Sequence, residues 1–207
     1  MTRFVTFALD GAQGIGVLDG NNSCRGLLAA DARYPGSLHN LIEAGAGALR
    51  AAGELLAAAP ALPIDRLIWL PPIETPGKII CIGLNYVDHS LEAGFEPPAF
   101  PTVFGRWPNS IVGAGQALVR PEFAEQFDFE GEVAAIIGQR CRGVRAADAL
   151  DYVAGYSIFN DGSIRDYQFK STQWTLGKSV DGTGAFGPAF VTADELPRGA
   201  KGLKIAT

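Results

Sequence analysis

Apolar and polar positions alternate over residues 3–8, an apolar run fills 14–18, and turn residues separate them and recur at Asp19-Gly20-Asn21-Asn22. A period of two puts successive side chains on opposite faces of a strand, so this stretch predicts a β-hairpin. The period then changes. Ser37 stands before a helically spaced run through Ala44, Gly45 closes it, and an Ala/Leu-rich stretch over 48–59 predicts a second helix. Prolines at 60, 63, 71, 72 and 76 leave room only for a short strand at 67–70. They place a boundary between a small N-terminal α+β domain, residues 1–72, and a second domain, residues 73–207.

The second part reads as short strands and loops. Residues 78–83 form a compact apolar run ending in Gly83-Leu84-Asn85, and Asn85 can cap a short helix that Gly94 would end. Strand composition follows at 127–137, a helix fits 145–154, and a strand fits 156–160. Glycines at 177, 182, 184 and 187 mark a looped segment before a strand at 189–192. Residues 203–207 alternate like a strand in mid-course.

Composition agrees with a β-rich chain: 26 Gly and 13 Pro among 207 residues suit many turns and argue against a helical bundle. With 47% hydrophobic and 19% charged residues, the chain can build a core. Seventeen basic residues against 22 acidic ones, net charge −5, with no basic run, argue against a nucleic-acid partner. No apolar segment approaches the roughly 18 residues of a membrane span, and the N-terminus lacks a signal-peptide core, so a cytoplasmic protein without a membrane partner is expected. Cys24, Cys81 and Cys141 form no Cys-x-x-Cys pair and read as reduced, small apolar residues. Gly177-Lys178-Ser179 lacks the glycine a P-loop needs at 172, Gly14-x-Gly16 lacks the third glycine of a dinucleotide fingerprint, and no Gly-x-Ser-x-Gly elbow occurs.

Three constellations could carry chemistry. In an unbroken strand Asp128, Glu130 and Glu132 would share one face, neighbours about 7 Å apart. Flanked by Phe127, Phe129, Val133 and Ile137, such carboxylates are either a solvated acidic face or the oxygen ligands of a hard cation such as Mg2+, Mn2+ or Ca2+. Asp161, at the end of the apolar run 156–160, is either a turn aspartate or a further ligand. His89 and Glu92, three apart on a helix, are either a surface pair or an imidazole made basic by its carboxylate partner. His39 has no acid at that spacing and reads as structural.

Together these motifs resemble the fumarylacetoacetate hydrolase family. Residues 78–92 look like its Gly-Leu-Asn-Tyr-x-x-His-x-x-Glu segment, Asp128-Phe-Glu-Gly-Glu-Val133 like its Asp-x-Glu-x-Glu strand, and Asn160-Asp-Gly-Ser-Ile-Arg-Asp-Tyr-Gln168 like its Asn-Asp-x-Ser-x-Arg-Asp-x-Gln. Gly177-Lys178-Ser179 and Gly184-Ala-Phe-Gly-Pro188 follow in order. The resemblance implies a β-rich α+β fold, a mixed β-sandwich roll, working as a homodimer. It implies Glu130, Glu132 and Asp161 as ligands of Mg2+ (or Mn2+, Ca2+), with Asp128 a neighbour, and His89 with Glu92 as a base on a lid helix. Lys178 would be catalytic, and Arg165, Gln168, Tyr86 and Arg106 would contact substrate. Arg106, followed by Trp107, stands where the family pattern has lysine.

The function so implied is metal-dependent hydrolysis of a carbon–carbon bond in an acylpyruvate-like 1,3-dicarbonyl, of the kind met in aromatic-compound catabolism. A second implied reading is a decarboxylase, isomerase or lyase of a related 2-keto acid, of oxaloacetate, carboxymethyl-hydroxymuconate or ureidoglycolate type. A third, from another class, is a non-catalytic metal-binding subunit. The family's later Asn-Gly-Glu and Thr-Gly-Thr-Pro segments do not occur before Thr207, so the roll is expected to be incomplete in this chain.

Overall fold

The computed structural model describes residues 2–20, 23–86 and 99–207. The elements run β1 (Arg3–Leu9), β2 (Ala12–Leu18), β3 (Cys24–Leu28), α1 (Leu38–Ala44), α2 (Ala46–Ala57), β4 (Ala61–Leu62), β5 (Ile68–Leu70), β6 (Ile79–Gly83) and β7 (Thr102–Arg106). Then come β8 (Ile111–Gly113), β9 (Phe127–Asp128), β10 (Gly131–Ile137), β11 (Val153–Asn160), β12 (Ser163–Ile164), β13 (Gly184–Phe186) and β14 (Ala189–Thr192). Two four-residue helices, Arg165–Gln168 and Thr175–Lys178, lie between β12 and β13.

β1 and β2 pair along their whole length, closed by Asp10 and Gly11, both at positive φ, as a two-residue hairpin turn requires. Ser37 Oγ accepts from the Asn40 N–H, starting α1, and Gly45, at φ 93°, ends α1 and opens α2. Leu38, Leu41 and Ile42, then Leu49, Ala52 and Leu56, give the two helices one buried face. That face joins Phe4, Ile15, Val17, Leu27, Phe186 and Phe190 in the main core.

One mixed sheet runs β4-β3-β2-β1-β14-β11-β13-β8, with β5 also on β1 and β10 on β11. The pairing of β1 with β14, Phe4 opposite Phe190, carries the sheet across the sequence boundary expected near residue 72. Among the described residues, only β13 and β8 pair parallel within it. β6 with β7 and β9 with β12 form separate ladders. The 145–154 segment is a 3-10 helix, Ala146–Tyr152, and residues 203–207 lie outside any strand, Thr207 resting against Gly131. The helix expected between Asn85 and Gly94 lies, beyond Tyr86, outside the described residues.

Candidate active site

The acidic run is not one strand. β9 follows β12 while β10 follows β11, and Asp161-Gly162 separates those two partners, so the run breaks at Phe129-Glu130. The break is pinned from across the gap. The Asp161 N–H donates to the Glu130 carbonyl at 2.8 Å, and the Glu130 N–H donates to Asn160 Oδ1 at 3.1 Å. The three acids therefore part company. Asp128 is half-exposed and accepts Arg165 Nε and Nη2 at 3.0 and 2.7 Å, whereas Glu130 turns inward.

Lys178 is the hub of the interior. Its ammonium is buried, 2.7 Å from both Glu130 Oε2 and Asp161 Oδ2, with the Phe104 ring centroid 5.3 Å away. Gly177 makes this position possible, because a Cβ there would stand 2.6 Å from the backbone of Gln168. The two short helices thus touch backbone to backbone, and the next residue points into the site. Glu130 Oε1 is 2.5 Å from Arg165 Nη1, and Asp161 Oδ1 accepts Arg106 Nη1 at 2.6 Å. Gln168, buried, accepts from Arg165 at 2.9 Å. Tyr86 hydrogen-bonds Glu132, and the Val133 N–H donates to its hydroxyl at 3.4 Å.

Glu132 reports the charge balance. Burial first, then the Glu130 and Asp161 charges, push its carboxyl up to about 7, against the pull of Lys178 and the Tyr86 hydrogen bond. Carboxylates that crowd one another away from water are relieved by a cation, and an all-oxygen donor set suits Mg2+, Mn2+ or Ca2+. The donor chemistry therefore fits a divalent ion. Among the described residues no three His, Cys, Asp or Glu side chains already stand as a closed metal cage, and Lys178 supplies positive charge between two of the acids.

Of the residues singled out by sequence, Glu130, Glu132, Asp161, Lys178, Arg165, Gln168, Tyr86 and Arg106 come together here. His89 and Glu92 lie outside the described residues. Ser110 and Thr183, which grip Arg106, were not foreseen: Ser110 is turned back on it by the 3-10 turn Pro108–Ser110 just after β7, and Thr183, 77 residues on, is brought there by the folded topology. Trp174 was also missed: it packs on Phe104, ring centroids 5.6 Å apart, and fills the space a Cβ at Gly83 would need.

The sequence model described as fumarylacetoacetate (FAA) hydrolase, C-terminal, matches residues 78–207. The chain belongs to the fumarylacetoacetate hydrolase family. Within this family it is 37% identical over 173 residues to human oxaloacetate tautomerase FAHD2A, mitochondrial, covering 82% of this chain and 55% of that protein. It is 39% identical over 186 residues to the Xenopus laevis oxaloacetate tautomerase fahd2, mitochondrial, covering 88% and 58%. The chain thus spans little more than half the length of these family relatives. Among solved family structures, fumarylacetoacetate hydrolase from the psychrophile Exiguobacterium antarcticum superposes with TM-score 0.77 at 31% identity, over 95% of this chain and 69% of that one. Maleylpyruvate hydrolase from Sphingobium sp. SYK-6, solved with manganese (II) ion and pyruvate, gives 0.72 at 26% identity over 93% and 67%. The mixed sheet with few helices is the β-rich architecture these neighbours imply for the family.

Proposed function

We propose that this chain carries the catalytic centre of a divalent-cation-dependent enzyme of enol chemistry on small 2-keto acids, and that keto–enol tautomerisation of an oxaloacetate-type substrate is its reaction. The observation that carries the reading is the buried Lys178 ammonium spanning Glu130 and Asp161 beside a Glu132 carboxyl pushed up to about 7. A divalent ion held by Glu130, Glu132 and Asp161 would supply positive charge that lowers the cost of forming an enolate. The side chains supply the rest. Lys178 adds an ammonium, preorganised and shielded from water, where charge develops on the substrate's oxygen. Arg165 and Gln168 stand beside it to orient a carboxylate. His89, with Glu92 beside it in sequence, is proposed to move the proton between carbon and solvent. The names of the relatives at 37% and 39% identity favour tautomerisation, which needs this proton transfer and no carbon–carbon bond cleavage.

Hydrolysis of a carbon–carbon bond in an acylpyruvate-like 1,3-dicarbonyl is the second reading, favoured by the hydrolase names of the two structural neighbours. It differs by requiring water to add to a carbonyl before the bond breaks. Product analysis separates the two. With Mg2+ or Mn2+, enol–keto interconversion of oxaloacetate followed by its ultraviolet absorbance should run faster than with the metal alone. Replacing His89 by Ala should slow it about 10²–10⁴-fold. Release of pyruvate and a carboxylic acid from an acylpyruvate, with oxaloacetate equilibrating at the background rate, would replace the tautomerase reading by the hydrolase one.

A further inference from the structure

Arg106 ends β7 with its side chain sealed from solvent. Its Nε donates to Ser110 Oγ at 3.2 Å, Nη1 to Asp161 Oδ1 at 2.6 Å and to the Gly162 carbonyl at 3.1 Å, and Nη2 to Thr183 Oγ1 at 2.9 Å. The guanidinium carbon lies 5.4 Å from the Phe159 ring centroid. Gly184 leaves the room for it, since a Cβ there would meet Nη2 at 2.7 Å and Cζ at 3.0 Å. Three separate chain segments and one glycine therefore fix the fork in place.

The consequence falls on Asp161. Its Oδ1 belongs to Arg106, and its Oδ2 faces the Lys178 ammonium, which Glu130 shares. Turning the carboxylate so that both oxygens faced Glu130 would strip a buried guanidinium N–H of its acceptor, which is expensive. A lysine could swing its three donors to other partners, whereas the planar fork is held by all its anchors at once. Ca2+ commonly takes carboxylates through both oxygens and accepts six to eight ligands, while Mg2+ requires a compact octahedron.

We propose that Arg106 is a positioning residue that sets cation selectivity: by reserving Asp161 Oδ1 it limits Asp161 to one ligand oxygen and favours Mg2+ and Mn2+ over Ca2+. The inference rests on the reading of Glu130, Glu132 and Asp161 as the cation site. Calorimetric titration of Mg2+, Mn2+ and Ca2+ into the native chain, Arg106→Met, Arg106→Lys and Thr183→Val tests it without reference to turnover. The native chain should prefer Mg2+ or Mn2+ to Ca2+. That preference should fall about tenfold in Arg106→Met, through gained relative Ca2+ affinity, with Arg106→Lys and Thr183→Val between native and Met. Thr183→Val keeps every charge, so it carries the test where Arg106→Met does not fold. An unchanged ratio in the folded variants overturns the inference and leaves the cation site standing; a native chain that binds none of the three ions overturns both.

Discussion

Between residues 4 and 73 the buried side chains of the core are apolar, from Phe4, Ile15 and Leu27 through Leu38, Leu49, Leu56 and Ile73. Between 106 and 183 the described structure buries Arg106, Ser110, Ser157, Asp161, Ser163, Gln168, Lys178, Ser179 and Thr183. One sheet links the two regions, through the pairing of β1 with β14 and of β14 with β11, while Arg106 and Ser163 stand on the separate β6–β7 and β9–β12 ladders. Apolar burial is non-directional and rewards area. Buried ion pairs must recover a desolvation cost that often exceeds their attraction. A region that spends its interior on Arg106, Asp161, Lys178 and Glu130 is therefore poorly explained by stability, and well explained by what those charges can bind.

If the two regions divide their work in this way, changes in the apolar one should leave cation binding untouched. Phe4, fully buried opposite Phe190 with ring centroids 6.3 Å apart, is the sharpest probe. Phe4→Ala should lower stability by about 3–5 kcal/mol in urea unfolding, from lost burial and the cavity left behind. Its Mg2+ affinity, measured where the variant is still folded, should match that of the native chain. Asp161→Asn should cost roughly 3 kcal/mol, because Arg106 is left with a weaker acceptor in a dry site. Unlike Phe4→Ala, it should also abolish Mg2+ binding in calorimetry. Native-like binding in Asp161→Asn would separate the buried charges from the cation site and remove the contrast.

What the sequence made legible follows the range of the interactions. The β1–β2 hairpin and the capped helix α1 were readable because Asp10-Gly11, Ser37 and Gly45 act on their own neighbours. The ordered motifs likewise located Glu130, Asp161 and Lys178. The broken acidic strand was not readable, because its halves answer to different partners 16 to 37 residues away, β12 and β11. The depth of Arg106 was hidden for the same reason: its acceptors Asp161 and Thr183 lie 55 and 77 residues downstream. Residues 203–207 alternate as a strand would, yet alternation alone supplies no neighbour to pair with, and the segment forms none.

Glu132 sharpens the contrast from the opposite direction, as a site residue whose removal should stabilise. Its carboxyl is pushed up from 4.5 to about 7 in the folded chain. Between those values the folded state binds more protons than the unfolded state, so stability falls as pH rises through the window, and the penalty is complete above about 7. Glu132→Gln should therefore be more stable than the native chain by about 2 kcal/mol at pH 8, after allowance for partial solvent access, and no different below pH 4.5. Binding of Mg2+ at this carboxyl should weaken as pH drops below about 7, with a proton released on binding at pH 6. Equal stability of the two chains at pH 8 would mean that Glu132 is not strained by its neighbours.

The smallest effect isolates burial itself, because the molecule contains the same ion pair in both settings. Arg66 Nη2 lies 2.7 Å from Asp10 Oδ2, and Arg106 Nη1 lies 2.6 Å from Asp161 Oδ1. Side-chain exposure is 57% and 69% in the first pair, 0% and 6% in the second. At nearly equal length the two differ in solvent and in ownership of other partners. Asp10 sits in the hairpin turn at φ 50°, where alanine would add backbone strain, so asparagine, which tolerates that region, is the correct replacement. Asp10→Asn should change stability by about 0.2–1 kcal/mol, and the difference should vanish in high salt, because water and ions already screen the exposed charges. Asp161→Asn should keep its effect at the same salt, since the pair is almost wholly shielded from solvent. If the two variants instead show equal losses with equal salt dependence, the polar interior around Asp161 is accessible to solvent, and the low-dielectric site that gives Lys178 its proposed strength does not exist.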